Sequence, residues 1–358
     1  MPSLPTLSSV LVALTQQLAQ EIALTGEQVA DAVRELAGEA ASAEIKAEFL
    51  TALARKGETA AEIAAFAGAL RDMAIVPPLD AETRARPILD VCGTGGDRLN
   101  TFNISTTVAL VVASAGVNVA KHGNRAITSQ AGSADVLEAL GVKIDLTPAL
   151  AVASLRDHHF AFFFAPNYHP AFRQIGPARR LCGERGQRTI FNFVGPLLNP
   201  ARPDRQLIGV PRPPLCAPLA AVLPGLGVRR GMVVCGSVSD SEGERYLDEL
   251  STLGDNHVVE FCEGEVFSRT LSPGEFPIQP ATLADWAGGN RQANAEIVRR
   301  LLHGEDRGPK RDVVLLNSAA ALLLAGASAT LAEGWNRAAE LIDSGRAQSK
   351  LRELIEAF

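Results

Sequence analysis

Residues 90–106, DVCGTGGDRLNTFNIST, hold three glycines, two acids and two asparagines among a cluster of hydroxyls. An apolar run at 87–92 precedes them and a helix-like run at 108–115 follows. Strand, glycine-rich loop, helix is the building unit of an α/β fold. The glycines let the backbone approach a bulky anion and leave N–H donors unhindered. A helix starting near 103–105 adds a favourable dipole for phosphate, with Asn103, Ser105 and Thr106 as side-chain donors. The dinucleotide pattern G-x-G-x-x-G fails at Arg98, and no G-K-[ST] follows to make a P-loop. Alone, the stretch reads equally as a glycine-rich turn with a helix cap.

Downstream the same grammar repeats. Strands are expected at 88–92, 117–121, 143–146, 160–165, 206–210, 232–235 and 257–261. Helices are expected at 104–115, 133–140, 148–158, 292–302, 313–324 and 331–343. Such alternation predicts a mostly parallel sheet flanked by helices. Upstream, residues 6–75 read as helix after helix. Leu7, Val10, Leu11, Leu14 and Leu18 make one apolar face. Thr25–Gln28 and Thr59–Glu62 are capping-box patterns. Pro77-Pro78 ends this run. Residues 168–188 are helix-like again and interrupt the alternation. The expected fold class is α/β: a small all-helical N-terminal domain, residues 1–78 joined by about 168–188, plus a larger α/β domain, residues 79–358, with a mostly parallel central sheet flanked by helices.

The next βα loop, KHGNRAITSQAGSADVLEALG at 121–141, brings a lysine, an arginine and several hydroxyls to the end of the second strand. Lys121 alone reads as a surface lysine. Two adjacent strand ends with phosphate-suited loops point to a ligand with phosphates at more than one place. The acids in ERYLDEL, Asp248 and Glu249, read by themselves as a solvated face. Tyr168 and His122 are candidate pocket walls, and a core role suits Tyr168 equally.

Composition narrows the class. The chain has 358 residues, 47% hydrophobic and 21% charged, enough for two domains. A net charge of −6 argues against a surface that tracks nucleic-acid phosphates. No apolar stretch reaches membrane-spanning length, and MPSLPTLSSV lacks the basic and apolar regions of a signal peptide. Five cysteines, an odd count without C-x-x-C, fit reduced thiols and a cytoplasmic protein. Six histidines without HExxH spacing argue against a structural transition-metal site.

GTGGD, TFNIST, KHGNRAITSQAGSADVLEALG, APNYHPA and RTIFNFVGPLLNPARP, in this order, resemble the motifs of the anthranilate phosphoribosyltransferase family, strongly so over about residues 90–250. The resemblance implies transfer of the phosphoribosyl group of phosphoribosyl pyrophosphate (PRPP) to the amine of anthranilate, the second step of tryptophan biosynthesis from chorismate. It implies that PRPP is held by Gly93, Gly96, Asp97, Thr101, Asn103, Ile104, Ser105 and Thr106, by Lys121, His122, Gly123, Asn124, Arg125, Ala126, Ile127, Thr128 and Ser129, and by Ser133. Magnesium, two ions per subunit, would be bound through Ser105, Asp248 and Glu249. Anthranilate would meet Gly93, Asn124 and Arg179. Homodimers through the helical domain are implied as well, and no nucleic-acid or membrane partner.

One departure from the family pattern stands out. RRLCGERGQRTIFN carries extra residues around 183–186, which leaves Arg179 and its neighbour Arg180 both open as the carboxylate partner. No general base is assigned. Two rivals are a nucleoside phosphorylase of related fold and a non-enzymatic nucleic-acid-binding relative. The paired loops and the acidic pair speak against the first, the acidic balance against the second.

Overall fold

Helices Ser9–Ala19, Gly26–Ala37, Ala43–Lys56 and Ala60–Asp72 follow one another in a computed structural model that describes residues 9–126, 130–240 and 243–358. Leu11, Leu14 and Leu18 are buried along one face of the first helix, whereas Leu7 lies outside the described residues. Both capping boxes form. The second also builds the interior. Glu62 is fully buried and accepts from Lys56 Nζ at 2.7 Å, from the Leu24 N–H at 2.9 Å and from the Thr59 N–H at 2.8 Å. A buried carboxylate needs such a full set of donors.

A later helix, Phe172–Glu184, packs on Ala43–Lys56 and Gly26–Ala37. Lys46 ties the segments, donating to Gly38 O at 2.7 Å and Gln174 O at 3.2 Å. One compact unit thus gathers Met1–Ile75 with Pro166–Leu198, and a second gathers Val76–Ala165 with Asn199–Phe358.

The second unit is built on strands β1 (Ile88–Gly93), β2 (Asn118–Gly123), β3 (Phe160–Phe164), β4 (Arg205–Gly209), β5 (Arg230–Asp240), β6 (Gly243–Leu247), β7 (Asn256–Cys262) and β8 (Glu265–Leu271). Their order is β3-β2-β1-β4-β5-β7-β8, with β6 paired to β5. β1 to β5 run parallel, and β6, β7 and β8 add antiparallel pairs. The helix Ile104–Ala113 is apolar on almost every side and packs on β1, β2 and β3. Pro309–Leu324, likewise buried, lies against it and against β1, β4 and β5. From β1 the chain winds outward through β2 and β3, then returns to β4 on the other side. This reversal at the C-terminal ends of β1 and β4 is the topological switch point, where open α/β sheets bind ligands.

Several elements differ from the sequence expectation. Residues 143–146 form no strand. Val142, Ile144 and Leu146 are buried while Lys143 and Asp145 are exposed, so the period-two alternation is real. The segment finds no strand partner to complete it. β6 and β8 were not expected, because GERYL and EVFSRTL are short and mostly solvent-facing. The helix Arg346–Glu356 extends the chain's helical end beyond the three expected there.

Candidate active site

The β5–β6 hairpin carries residues 248–249 back across the ends of β1, β4 and β5. Three glycines make room. A Cβ at Gly93 would overlap the Asp248 carboxylate, and one at Gly209 the Asp248 main-chain carbonyl. At Gly236 it would stand 2.6 Å from the Glu249 carbonyl oxygen. Gly93 and Gly209 are register partners in adjacent strands. Asn317, buried in the Pro309–Leu324 helix, then clamps Leu250, accepting from its N–H at 2.9 Å and donating to its carbonyl at 2.8 Å.

So held, the acids reach the loop after β1. Asp248 accepts from the Gly95 N–H at 2.6 Å, and Glu249 from the Ser105 N–H at 3.2 Å. Glu249 is 9% exposed, so the pair is no solvated face. Burial first, then the charges of Asp97 and Glu249, hold the Asp248 carboxyl well above its ordinary range. Burial likewise raises Glu249, against the pull of Lys121 and the Ser105 N–H. Lys121 is not a surface lysine. It is 1% exposed within β2, and its ammonium donates to Val91 O at 2.7 Å and Ser105 Oγ at 3.2 Å. Beneath it, Asn199 donates to Asp90 at 2.8 Å and to Ala120 O at 2.7 Å. Burial pushes the Asp90 carboxyl up to about 6, with Asn199 and Lys121 opposing.

The remaining loop residues divide. Gly96 and Asp97 lie beyond the end of β1, and Thr101 forms an isolated bridge with Ala287. Ile104 and Thr106 are buried in the first turn of the Ile104–Ala113 helix, and the Thr106 hydroxyl has no hydrogen-bond partner among the described residues. In the second loop, His122 is buried and its N–H points to Asp90 at 3.4 Å. Gly123 sits where a Cβ would overlap Ser133 Oγ. Asn124, Arg125 and Ala126 leave the strand together. Asp135 accepts from the Ala126 and Gly132 N–H groups, each at 2.9 Å, and so joins the two ends of the loop. Ile127, Thr128 and Ser129 lie outside the described residues. Asn103 Nδ2 donates to Ala131 O at 3.2 Å and links the two loops.

Arg179, Tyr168 and His169 belong to the helical unit. Tyr168 is fully buried. Burial holds the His169 imidazole down to about 4, hence neutral. The Arg179 guanidinium lies 5.7 Å from the Phe172 ring and 5.3 Å from Phe191, with no acidic partner among the described residues. Burial lowers its pKa, whereas Arg180 is exposed. The extra residues around 183–186 fall at the end of the Phe172–Glu184 helix, after both arginines.

The fold and site define a class. A family model described as "glycosyl transferase family, a/b domain" matches residues 85–348, and one described as "glycosyl transferase family, helical bundle domain" matches residues 12–74. Over 321 residues, 89% of each chain, the sequence is 46% identical to the anthranilate phosphoribosyltransferase of Methanocorpusculum labreanum. The chain belongs to the anthranilate phosphoribosyltransferase family. Among solved structures, the Thermus thermophilus enzyme matches with a TM-score of 0.85 and 41% identity, over 96% of this chain and 98% of that one. The Saccharomyces cerevisiae enzyme, in complex with PRPP and Mg, matches with a TM-score of 0.85 and 27% identity over 98% of each chain.

Proposed function

We propose that this chain transfers the phosphoribosyl group of PRPP to the amine of anthranilate, giving N-(5-phosphoribosyl)anthranilate and pyrophosphate in tryptophan biosynthesis. The observation that carries the reading is the acidic pair Asp248–Glu249, held across glycine strand ends and bonded to the N–H groups of Gly95 and Ser105. An acidic pair beside phosphate-suited loops fits a metal-bearing pyrophosphate donor better than the free phosphate of a phosphorylase.

The donor set fits magnesium. Desolvated, mutually repelling carboxylates are hard oxygen ligands short of a cation. No cage of three or more His, Cys, Asp or Glu side chains occurs among the described residues. An ion that keeps water and phosphate oxygens in its shell needs none. Ser105, Asp248 and Glu249 would hold it, at two ions per subunit. When bound, magnesium offsets the charge developing on the departing pyrophosphate. The chain's own contribution is positioning and electrostatics. Loop N–H groups hold the phosphates, and Lys121 orients Ser105 from within the sheet. The aromatic amine is neutral at pH 7 and attacks C1 with inversion. The C1–N bond forms as the C1–O bond to pyrophosphate breaks, and the amine proton leaves late to solvent or pyrophosphate. No strong base is required. The five cysteines are free thiols, in keeping with a cytoplasmic enzyme, and among the described residues no helix is long and apolar enough to cross a membrane.

The test is direct. Purified protein mixed with PRPP, magnesium and anthranilate should consume anthranilate fluorescence. No loss of fluorescence, together with phosphorolysis of a nucleoside, would replace this reading with the phosphorylase.

Arg179 is proposed to hold the anthranilate carboxylate. Its support is a partly buried guanidinium with no acidic partner among the described residues. A charge-assisted bond is worth roughly 1.5–3 kcal/mol, so Arg179→Ala should lower kcat/KM for anthranilate by about 10- to 100-fold. KM for PRPP should stay unchanged. If Arg180→Ala shows the acceptor defect instead, the assignment moves one residue along.

The helical unit is proposed as a homodimer surface. Val12 and Ile22 stand exposed on and just after its first helix. Light scattering at micromolar concentration should give about twice the chain mass of 37.8 kDa. A single-chain mass would refute it.

A further inference from the structure

Asn103 sits at the N-cap of the Ile104–Ala113 helix, yet its side chain makes no capping bond. An asparagine there ordinarily turns its oxygen onto the helix N–H groups. Here the oxygen is taken. Asn294, 2% exposed in the helix Arg291–Leu302, donates from Nδ2 to Asn103 Oδ1 at 2.8 Å. Two amides facing each other can be oriented either way, but the groups at the two ends of this series cannot reverse. At one end, the Gly289 N–H donates to Asn294 Oδ1 at 2.7 Å. At the other, Asn103 Nδ2 donates to Ala131 O at 3.2 Å. A main-chain donor begins the series and a main-chain acceptor ends it, so both amides have one consistent orientation.

The support is tightly built. Gly288 N–H donates to Asn100 O at 3.0 Å, and Phe102 N–H to Trp286 O at 3.0 Å. A Cβ at Gly288 would stand 2.8 Å from Asn294 Oδ1 and 2.9 Å from Phe102 N. The strap 286–289 thereby fixes the loop after β1 from the side, and Asn294 fixes its last residue.

We propose that Asn294 is a positioning residue for PRPP. By holding the oxygen of Asn103 away from the helix N-terminus, it prevents the helix from capping itself. In the first turn the Ile104 N–H donates to Phe102 O at 2.8 Å and the Ser105 N–H to Glu249 at 3.2 Å, so the Thr106 N–H and the second Nδ2 hydrogen of Asn103, unpaired among the described residues, remain for the anion. This rests on the reading of Asn103 as a PRPP residue.

Asn294→Asp tests it. The substitution keeps size and shape and still accepts from Gly289, but it sets an acceptor against Asn103 Oδ1. KM for PRPP should rise on the order of 10- to 100-fold with KM for anthranilate unchanged. Asn294→Ala only frees Asn103 and should do less, about 3- to 10-fold. A packing role predicts the reverse ranking, since alanine leaves the larger void. Lowering the pH should shrink the aspartate variant's defect relative to the parent, because a protonated carboxyl donates to Asn103 again. The alanine variant's defect should stay constant.

Asn103→Ala is the control. If it leaves KM for PRPP unchanged, the reading of Asn103 itself falls. If it raises KM and Asn294→Asp does not, the inference alone is overturned. Should the aspartate variant fail to fold, Asn294→Ala decides: a fall in kcat with both KM values unchanged overturns the proposal.

Discussion

Replacing Asp248 with Asn and Glu249 with Gln together lowers turnover by on the order of 10³-fold, since magnesium on a leaving group supplies several kcal/mol of charge stabilisation. The same change should raise the melting temperature of the metal-free protein, by about 1–3 °C. The two effects have one cause. Asp97, Asp248 and Glu249 are crowded together, and burial and mutual charge raise the last two above the ordinary carboxylate range. A carboxyl raised in the folded state retains a proton that the unfolded chain releases. Stability is therefore full at acid pH and lost as pH climbs from the ordinary carboxylate range through the raised values. Metal-free parent protein should melt progressively lower across that window, and magnesium should recover the loss. The amide variant should show neither trend. The measurement is calorimetry across pH with and without magnesium, alongside initial rates at limiting magnesium. Parent-like rates would remove the pair from the metal site. A lower melting temperature for the amide variant would mean that the charges are already compensated.

Gly209→Ala should lower stability by about 3 kcal/mol and turnover by about 10²-fold. The backbone at Gly209 does not have positive φ, so alanine meets no conformational penalty there. The obstacle is the Asp248 carbonyl, which an added Cβ would overlap. Main-chain atoms do not swing aside as a side-chain tip does, so the crossing segment must lift and carry both carboxylates with it. A fall in melting temperature of about 6–10 °C is expected. Gly68→Ala is the comparison. It lies inside the helix Ala60–Asp72 with nothing within 4 Å of a new Cβ, and should be neutral or stabilising by about 0.5–1 kcal/mol. Equal behaviour of the two variants would show that the crossing yields without loss.

The local elements were legible because they depend on residues a few positions apart. Thr25 with Gln28 and Thr59 with Glu62 close their boxes over three residues. The alternation of short apolar runs with helices implied parallel strands, and β1 followed by a glycine-rich loop and the Ile104–Ala113 helix placed a phosphate-suited loop. Periodicity also misled once, at 143–146, because alternation reports burial of one side and not the presence of a partner strand.

What tertiary structure alone decided is the state of the groups in the site. From the sequence, Asp248 and Glu249 resemble any acidic surface turn. Only a β5–β6 hairpin that returns over Gly93 and Gly209 brings Asp248 to Gly95, 153 residues earlier. Lys121 reads as a loop lysine until β2 is paired on both sides, which leaves its ammonium inside the sheet beside Ser105. Asn294 carries no motif, and its hold on Asn103 spans 191 residues. Propensity and capping are short-range and can be read along the chain. Desolvation and charge are set by whatever the fold packs alongside, so the proton affinity of an acid, or the orientation of an amide, exists only once the distant neighbours arrive.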